Sequence, residues 1–540
     1  MLLDVAKLSK NIGAKYLFKD ISFSIMPGEK VALIGRNGNG KTTLLKMLSN
    51  EDHDYEGDIT TQKGTIITLT KQEHIENAEQ TPLKYIIDSI PNYHKYKKIL
   101  DDFESGRNTK VDHYLETLEK FTEYKFFNLE DAILSTLSDF NVSNELSLQP
   151  LSHLSGGQKR YVEMTRMMFS QADLLLIDEP TNHLDYLGKE RFISWMRTLK
   201  KTVIVVTHDR NVLKYVNKII EIKDKRLDIY KGNYDHYIAL NSSNTLSSVK
   251  NYTNQLNKLK EAKKKVQWGL QMRAKSKQWK TRYDHWLRDY EKLETETIKP
   301  SFWIDQNSVD DLDKKIVDSY DKFKEKNIRI NMISKRERGI ERILVRNLSL
   351  GYDQPVFENL DFSLRDNDRV YIKGKNGAGK STLVKTILSL ANNQKPVANI
   401  LDGKITLSSD LRIGEYEQEI DKKYLNLALS EAIRLSYQEK NIAVTNEQIM
   451  SLLSQYLFNP VQDASQKIIN LSGGQKARFQ IIKMLINEPN LLILDEPTNH
   501  LDLPSIEELE NALVDFDGAI LYISHDTYFI EKMGGFVVEM

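Results

Sequence analysis

Two short glycine-rich segments of the chain have the residues and spacing of phosphate-binding loops. Residues 35–42 are Gly-x-x-x-x-Gly-Lys-Thr, and residues 374–381 are Gly-x-x-x-x-Gly-Lys-Ser. Glycines let several backbone N–H groups point at one polyphosphate, and the helix that follows adds its positive N-terminal end. We therefore predict two sets of phosphate-binding residues: Gly35, Asn37, Gly38, Gly40, Lys41, Thr42 and Thr43, and Gly374, Asn376, Gly377, Gly379, Lys380, Ser381 and Thr382.

An acidic pair follows an apolar strand pattern in each half of the chain. The runs LLLID and LLILD end in Asp178 and Asp495, where a carboxylate is costly unless it serves an ion. Together with the loop hydroxyls of Thr42 and Ser381, these carboxylates are predicted Mg²⁺ ligands. The residues that come next are predicted to orient or deprotonate an attacking water molecule, and they are Glu179 and Glu496.

Two further pairs of polar residues follow short strand patterns. His208 and His525 come after VIVVT and ILYIS and are predicted to donate to a γ-phosphate. A lone histidine is more often structural, but the repeated spacing favours the functional interpretation. Gln72 and Gln418 come after IITLTK and IGEYE. They are predicted to bind or sense Mg²⁺, with a plain surface role as the alternative.

The motifs occur in the same order in both halves of the chain. LSGGQKR begins at Leu154 and recurs as LSGGQKA at Leu471, and the steps to the following Asp and then His are 24 and 30 residues in both copies. This order indicates an internal duplication. Gln72 lies 82 residues before Leu154 whereas Gln418 lies 53 before Leu471, so the first copy carries 29 additional residues, which we predict to form a helical arm.

The apolar runs VALIG, LLLID, VIVVT, VYIKG, LLILD and ILYIS predict an α/β fold. Continuous Val, Ile and Leu runs suit parallel strands that are covered on both faces, with functional residues at their carboxyl ends. The predicted organisation is two P-loop ATPase domains, 1–240 with a helical arm at about 84–147 and 339–540, joined by an α-helical hairpin linker at 241–338.

Composition excludes several classes of protein. The 540 residues carry 76 Lys plus Arg and 76 Asp plus Glu, so no global field attracts nucleic acid or lipid. The chain has no cysteine, which excludes disulfides, thiolate metal sites and a cysteine nucleophile. No apolar run approaches the ~18 residues of a membrane span, and the N-terminus lacks a secretory pattern. We expect a cytoplasmic protein with no membrane partner.

The linker concentrates positive charge and tryptophan. Eleven basic residues lie within 250–282 against the single acid Glu261, and four of the five tryptophans lie within 268–303. Val249, Tyr252, Leu256, Leu259, Val266 and Leu270 predict an amphipathic helix, with a second helix at 273–293 or 308–326. A solvated hairpin is the plain interpretation; RNA binding is the alternative. The candidate RNA contacts are Lys275, Lys277, Trp279, Lys280 and Arg282.

LSGGQ, the phosphate loops, the DEP motifs and the terminal histidines together resemble the ATP-binding cassette superfamily. The resemblance implies a monomer whose two cassettes pair head to tail and sandwich two ATP molecules with Mg²⁺. Each loop would then face the other copy's signature residues: Ser155, Gly156, Gly157 and Gln158, or Ser472, Gly473, Gly474 and Gln475. In this family an aromatic ring stacks on adenine; Tyr352 fits that place, whereas the first copy has Ile12, with Tyr16 nearby.

Two cassettes, an arm, a charged linker of about 100 residues and the motifs KGNYDHY and PTNHLD resemble the ABC-F family. The resemblance implies an ATPase that enters the tRNA exit site of the 70S ribosome. Its linker would point toward the P-site tRNA and the peptidyl-transferase centre of the 23S rRNA. The long linker, with its additional stretch at 301–320, and the absence of a C-terminal extension are more like the branch that confers antibiotic resistance by ribosome protection.

Two alternatives stay open from the sequence. One is a general ABC-F translation factor without a drug-related role. The other is the free ATPase subunit of a membrane transporter, which would not need a basic, tryptophan-containing linker.

Overall fold

The computed structural model describes most of the chain. The described residues are 1–13, 15–71, 77–107, 110–182, 184–274, 276–296, 339–417, 420–456, 458–471, 473–499, 501–514 and 516–540. Several residues assigned to sites from the sequence lie outside these ranges: Gln72, Lys275, Gln418 and Ser472.

The first cassette contains two sheets. Their strands are β1 (Leu3–Ile12), β2 (Lys15–Ile25), β3 (Lys30–Gly35), β4 (Glu56–Thr61), β5 (Ile67–Leu69), β6 (Leu174–Asp178), β7 (Thr202–Val206), β8 (Lys218–Lys223) and β9 (Arg226–Lys231). One sheet is antiparallel with the order β2-β1-β4. The other has the order β5-β6-β7-β3-β8-β9 and is parallel from β5 to β8, with β9 antiparallel at its edge.

The helices of the first cassette cover the larger sheet and build the arm. They are α1 (Lys41–Leu48), α2 (Pro82–Asp88), α3 (Tyr93–Glu104), α4 (Val111–Glu123), α5 (Leu129–Asp139), α6 (Asn144–Ser147), α7 (Gly156–Phe169), α8 (Tyr186–Thr198) and α9 (Arg210–Leu213). Two long helices follow in the linker, α10 (Tyr234–Met272) and α11 (Lys277–Glu296).

The second cassette repeats this plan. Its strands are β10 (Glu341–Gly351), β11 (Pro355–Arg365), β12 (Arg369–Lys373), β13 (Asn399–Leu407), β14 (Ile413–Tyr416), β15 (Leu491–Asp495), β16 (Ala519–Ile523) and β17 (Phe536–Glu539). The sheet orders are β11-β10-β13 and β14-β15-β16-β12-β17. The helices are α12 (Lys380–Ala391), α13 (Lys422–Leu425), α14 (Leu429–Glu439), α15 (Asn446–Gln455), α16 (Gly473–Leu485), α17 (Leu503–Val514) and α18 (Thr527–Met533).

Burial on both faces explains the continuous apolar strands. Along β6, Leu174 and Leu176 pack in the cluster that contains the apolar side chains of α1, whereas Leu175 and Ile177 pack in the cluster that contains those of α7 and α8. Because successive side chains of a strand point to opposite faces, every position of such a strand must be apolar. The predicted α/β fold with doubly covered sheets is confirmed.

The arm of the first cassette is the α3–α4 hairpin. The helices that flank it, α2 and α5, have counterparts of the same order in α14 and α15, but the described part of the second cassette has no helices in the place of α3 and α4. The hairpin is held by aromatic contacts, including the stacked rings of Phe103 and Tyr114 with centroids 4.1 Å apart. This hairpin accounts for the additional residues of the first copy.

The positions of α10 that pack toward α11, called the seam below, differ from the apolar face that the sequence predicts for this helix. Within residues 254–272 of α10 the less exposed positions are Leu256, Leu259, Ala262, Val266, Gly269 and Met272, whereas Leu270 is 49% exposed. Gly269 occupies the seam because α11 approaches closely there: a Cβ at this position would lie 3.1 Å from the ring of Trp286. The prediction that Leu270 faces the seam is therefore wrong, and of the two predicted second helices the one near 273–293 corresponds to α11.

The tryptophans of the hairpin pack on each other. The rings of Trp268 and Trp279 meet edge to face at 5.0 Å, and the Trp268 and Trp286 rings are 6.0 Å apart. The guanidinium of Arg282 lies 5.2 Å from the Trp279 ring. These indoles therefore stabilise the turn of the hairpin, which weakens the expectation that their exposure alone signals base stacking; Trp268, 45% exposed, retains a free edge.

Candidate nucleotide sites

Each phosphate-binding loop connects a buried strand to a helix N-terminus. Lys41 Nζ donates to the carbonyl oxygen of Gly35 at 2.7 Å, and Lys380 Nζ donates to that of Gly374 at 2.8 Å. Gly38 has φ +85°, and a Cβ built on it would meet no atom within 4 Å; Gly377 repeats this geometry. The loops therefore expose their backbone to open space at the point where a phosphate group would lie.

The predicted Mg²⁺ ligands are adjacent in both cassettes. Thr42 Oγ1 donates to Asp178 Oδ2 at 2.8 Å, and Ser381 Oγ donates to Asp495 Oδ2 at 2.9 Å. A hydroxyl beside a buried carboxylate is a set of hard oxygen donors that suits Mg²⁺, which would neutralise phosphate charge there. The remaining predicted ligands, Gln72 and Gln418, lie outside the described residues.

The glutamate that follows each aspartate lies beside the predicted histidine. His208 Nε2 is 3.5 Å from Glu179 Oε1, and His525 Nε2 is 3.2 Å from Glu496 Oε1. The His525 backbone N–H also donates to Glu496 Oε2 at 3.2 Å. Both glutamates have positive φ, 45° and 49°, a strained conformation that is found preferentially at functional sites.

Burial sets the protonation of these groups. It raises the pKa of Glu179 to about 8 and that of Glu496 to about 7. It lowers the pKa of both His208 and His525 to about 3. At neutral pH each imidazole is therefore neutral and has one N–H to donate. Burial favours the protonated form of each glutamate, so a cation bound in the site is what would hold its carboxylate ionised as a general base.

The signature of the first cassette lies against the loop of the second. Ser155 caps α7, since its hydroxyl accepts from the Gln158 backbone N–H at 3.3 Å and the Gln158 side chain accepts from the Ser155 N–H at 2.9 Å. A cavity of about 510 Å³ is lined from the first cassette by residues that include Ser155 and Gly157. Its other lining residues include Asn376, Gly377, Gly379, Lys380, Ser381, Thr382, Asp495, Glu496 and His525.

The structure therefore brings Ser155 and Gly157 together with the second loop, Asp495, Glu496 and His525 across the cassette interface, whereas Tyr352 does not line this cavity. For the first site, the opposing serine, Ser472, is outside the described residues, and Gly473, Gly474 and Gln475 lie at the start of α16.

Two aspartates that the sequence analysis did not assign connect the cassettes reciprocally. Asp502 Oδ2 accepts the Asn37 backbone N–H at 3.0 Å, and Asp185 Oδ2 accepts the Asn376 backbone N–H at 3.1 Å. Burial alone would raise the pKa of both carboxylates, but these and neighbouring hydrogen-bond donors lower it. Both aspartates end the repeated NHLD motif, so the repetition of this motif could have identified them from the sequence.

The candidate adenine-stacking positions are accessible in both cassettes. Tyr352 in the β10–β11 turn is 54% exposed, while Ile12 at the end of β1 and Tyr16 at the start of β2 are 63% and 37% exposed. The first cassette thus presents an aliphatic side chain where the second presents a ring.

The linker cations also remain accessible to a partner. In the described part of the hairpin, Lys277, Lys280 and Arg282 are exposed, and Trp279 is half-buried. Among the helices that the structure describes, none has the length and apolarity that crossing a membrane requires.

Paired phosphate loops and acidic strand ends, with the first signature helix lying against the second loop across the interface, define a tandem ATP-binding cassette ATPase. The family model described as ABC transporter matches residues 18–182 and 357–499, more than half of the chain. The chain therefore belongs to this family.

Curated relatives share the whole two-cassette plan. The chain is 30% identical over 546 residues to "Uncharacterized ABC transporter ATP-binding protein YfmR" of Bacillus subtilis, covering 98% of this chain and 80% of that protein. It is 29% identical to "Probable ATP-binding protein YheS" of Escherichia coli K12, covering 96% and 76%.

Solved structures show the same fold. The chain titled "RNase-L Inhibitor" superimposes with a TM-score of 0.57 at 16% identity, covering 99% of this chain and 87% of that one. A second, from the complex of the archaeal ribosomal stalk protein aP1 with the archaeal ribosome recycling factor aABCE1, gives 0.55 at 15% identity, covering 99% and 87%.

Proposed function

We propose that the chain is an ABC-F-type, Mg²⁺-dependent ATPase that binds two ATP molecules at composite sites between its cassettes. The cavity shared by Ser155, Gly157 and the second phosphate loop is the observation that carries this proposal. At about 510 Å³ it lies within the usual range for ligand pockets, roughly 300–1,000 Å³. Because neither cassette completes such a site alone, bound ATP holds the cassettes together and hydrolysis releases them.

The chemistry follows from the residues around the loop. Water attacks the γ-phosphorus, its proton passes to the carboxylate of Glu179 or Glu496, and the bond from phosphorus to the β,γ-bridging oxygen breaks, leaving ADP and phosphate. The neutral histidine donates to the γ-phosphate, and Lys41 or Lys380 compensates its charge. Orphaned polar atoms support this assignment, because no described residue hydrogen-bonds to the buried His525 Nδ1 or to either ring nitrogen of His208.

Replacing both glutamates tests the hydrolytic mechanism. Glu179→Gln with Glu496→Gln removes the general base while preserving shape, so we expect ATP binding to persist and turnover to fall by about 10²- to 10⁴-fold. Phosphate release and nucleotide filter binding measure the two properties. Turnover at the wild-type rate would show that these glutamates are not the base.

The ribosome is the partner we propose for the linker. The chain is electrically neutral overall, yet the described hairpin exposes a dense run of cations: Lys258, Lys260, Lys263, Lys264, Lys265, Arg273, Lys277, Lys280 and Arg282. Such a local patch is the electrostatic footprint of an RNA-binding surface. One structurally similar chain is a ribosome recycling factor by its title, which makes ribosomal RNA the first partner to test.

In this proposal the cassettes close in the tRNA exit site of the 70S ribosome, and the hairpin reaches toward the P-site tRNA and the 23S rRNA of the peptidyl-transferase centre. The doubly substituted Glu→Gln protein should then stay on 70S ribosomes with ATP and sediment with them. Rapid release with ATP would contradict the mechanism.

The linker charges are tested by Lys275, Lys277, Lys280 and Arg282→Gln together. We expect weaker ribosome binding and a smaller salt dependence, since fewer phosphate contacts release fewer counterions. A matched control removes four exposed cations of the second cassette, Arg346, Arg365, Lys395 and Lys404→Gln. Equal effects in both variants would assign the binding to overall charge rather than to the hairpin.

Antibiotic resistance by ribosome protection is the more specific form of this proposal. It rests on the length of the linker and its 301–320 stretch, which lies outside the described residues. Cells with and without the gene should differ in susceptibility to one class of drugs that bind the large subunit. An unchanged drug panel with altered translation would favour the general translation factor instead.

A further inference from the structure

Lys189, in α8 of the first cassette, contacts a residue of the second site. Its Nζ donates to the backbone carbonyl oxygen of His525 at 2.9 Å and lies 3.5 Å from Asp209 Oδ2. The side chain is only 15% exposed. A lysine so largely withdrawn from water is costly unless its hydrogen bonds compensate.

The residue that Lys189 holds is the one that orients the second glutamate. The His525 backbone N–H donates to Glu496 Oε2 at 3.2 Å, and its Nε2 lies 3.2 Å from Glu496 Oε1. Fixing the His525 carbonyl therefore fixes the peptide and ring that position the Glu496 carboxylate. Since Lys189 belongs to the other cassette, this support exists only while the cassettes are paired.

The first site has no such support. The residue equivalent to Lys189 is Ile506, the fourth residue of α17 as Lys189 is of α8. Ile506 is 3% exposed and lines a cavity of about 240 Å³ together with Glu179 and His208. The Lys189 side chain also lines this cavity, but its Nζ donates to the second site's His525. An isoleucine side chain has no donor, so it cannot hold the His208 carbonyl in the way that Lys189 holds that of His525.

We propose that Lys189 is a positioning residue that acts across the interface by fixing His525 and through it Glu496, so that cassette pairing promotes hydrolysis more strongly at the second site than at the first. The inference rests on the proposed ATPase function. It adds that the two sites respond differently to closure because Ile506, at the position equivalent to Lys189, has no donor for the His208 carbonyl.

The test separates the sites with glutamate variants. In the Glu179→Gln protein only the second site hydrolyses, and in the Glu496→Gln protein only the first. Rapid-quench measurement at saturating ATP gives the rate at which the first phosphate forms. Adding Lys189→Met should slow that rate about three- to tenfold in the Glu179→Gln background and leave it within twofold in the Glu496→Gln background. Lys189→Arg, which keeps a donor, should restore most of the rate.

The other outcomes are decisive. Equal slowing in both backgrounds, or none in either, overturns the positioning role. The unchanged first-site rate serves as the folding control, because a misfolded variant would lose both. Lys200→Met, an exposed lysine just beyond α8, should change neither rate. If the unsubstituted protein forms no phosphate, the proposed ATPase function itself fails. If it does but neither parent variant does, the sites do not act separately and the one-sided role of Lys189 is overturned.

Discussion

The two cassettes support the same acidic pair with different cations. In the first, the Arg160 guanidinium donates to the carbonyl oxygens of Asp178 and Glu179 from within the same cassette. The residue equivalent to Arg160 is Ala477, and the cation that supports the second site comes instead from the other cassette, as Lys189. The Arg160 contacts with the first acidic pair therefore exist before the cassettes pair, whereas the Lys189 contact with the second site forms only when they do.

The donors that hydrogen-bond to Asp185 and to Asp502 also differ between the cassettes. Asp185 Oδ1 accepts from the Tyr161 hydroxyl at 2.8 Å and from the Gly188 N–H at 2.9 Å. Asp502 Oδ1 accepts instead from both the hydroxyl and the N–H of Ser505, the residue equivalent to Gly188. The residues that would contact the nucleotide are the same in both cassettes. The residues that hydrogen-bond to the two aspartates differ, and each cassette has its own donors.

A buried ion pair lies on one side of the interface only. Arg210 NH1 is 3.3 Å from Glu510 Oε1, and their side chains are 5% and 1% exposed. The equivalent positions are Thr527 and Ile193, which cannot form an ion pair. The cassettes therefore meet asymmetrically although their motifs are symmetric.

Breaking this one-sided pair should have the largest effect. Glu510→Leu removes the carboxylate that Arg210 and Lys532 share, and the loss of a partner for the buried guanidinium should cost about 3–5 kcal/mol. Pairing should then need at least about a hundredfold more ATP. The chain has no cysteine, so cysteines introduced for fluorescent labels can report pairing by energy transfer. Arg210→Met with Glu510→Leu should recover most of the loss; if the double variant is as impaired as the single one, lost contacts rather than the stranded charge are responsible.

Arg160→Ala gives the first cassette the residue that the second cassette has at the equivalent position, Ala477. Loss of charge-assisted hydrogen bonds is worth about 1.5–3 kcal/mol, so the first phosphate should form roughly ten- to a hundredfold more slowly in the Glu496→Gln background. The Glu179→Gln background, which measures the second site, should be nearly unaffected. Slowing of both sites alike would mean that Arg160 acts on pairing and not on its own site.

Gly188→Ser gives the first cassette the serine that the second cassette has at position 505, beside the equivalent aspartate. A Cβ at Gly188 would lie 2.5 Å from the Tyr161 hydroxyl oxygen, so we expect the first cassette to lose about 1–3 kcal/mol of unfolding free energy. Adding Tyr161→Arg, which reproduces the second cassette's Arg478, should relieve the clash. Urea unfolding measures both variants, and a double variant that is no more stable than Gly188→Ser would show that the Tyr161 clash is not the cause.

Tyr352→Ala should have the smallest effect. Losing a stacked ring costs about 1 kcal/mol, which corresponds to roughly five- to tenfold weaker ATP binding at the second site. Ile12→Tyr should strengthen the first site by a similar factor. Equilibrium titration with a fluorescent ATP analogue, in variants with one site disabled at Lys41 or Lys380, separates the two. No change from either substitution would remove these positions from the adenine contacts.

Much of the second site followed from the sequence because its chemistry needs fixed residue types at fixed spacing. The loop glycines, Asp495 and Glu496 lie where their motifs place them, since a strand end followed by a helix N-terminus allows little variation. Lys189 could not be found in this way. Its partner is a backbone carbonyl 336 residues away in the chain, and backbone atoms leave no signature in a sequence.

The sequence predicted which face of a helix is buried, but not which residue of that face makes the contact. The linker was expected to be a basic helical hairpin, and two packed helices are present. Yet the seam passes through Gly269 and not Leu270, because close approach to Trp286 selects the residue without a side chain. Apolar spacing alone cannot distinguish these neighbours.

The sequence alone determined the duplication, the α/β layers and the reacting groups, because strand burial and phosphate chemistry each demand particular residues locally. Tertiary structure alone decided which cassette supports which site, through Arg160, Lys189 and the buried pair of Arg210 and Glu510. Those contacts join residues without any fixed separation along the chain, and their energies depend on withdrawal from water, which only the assembled interface provides.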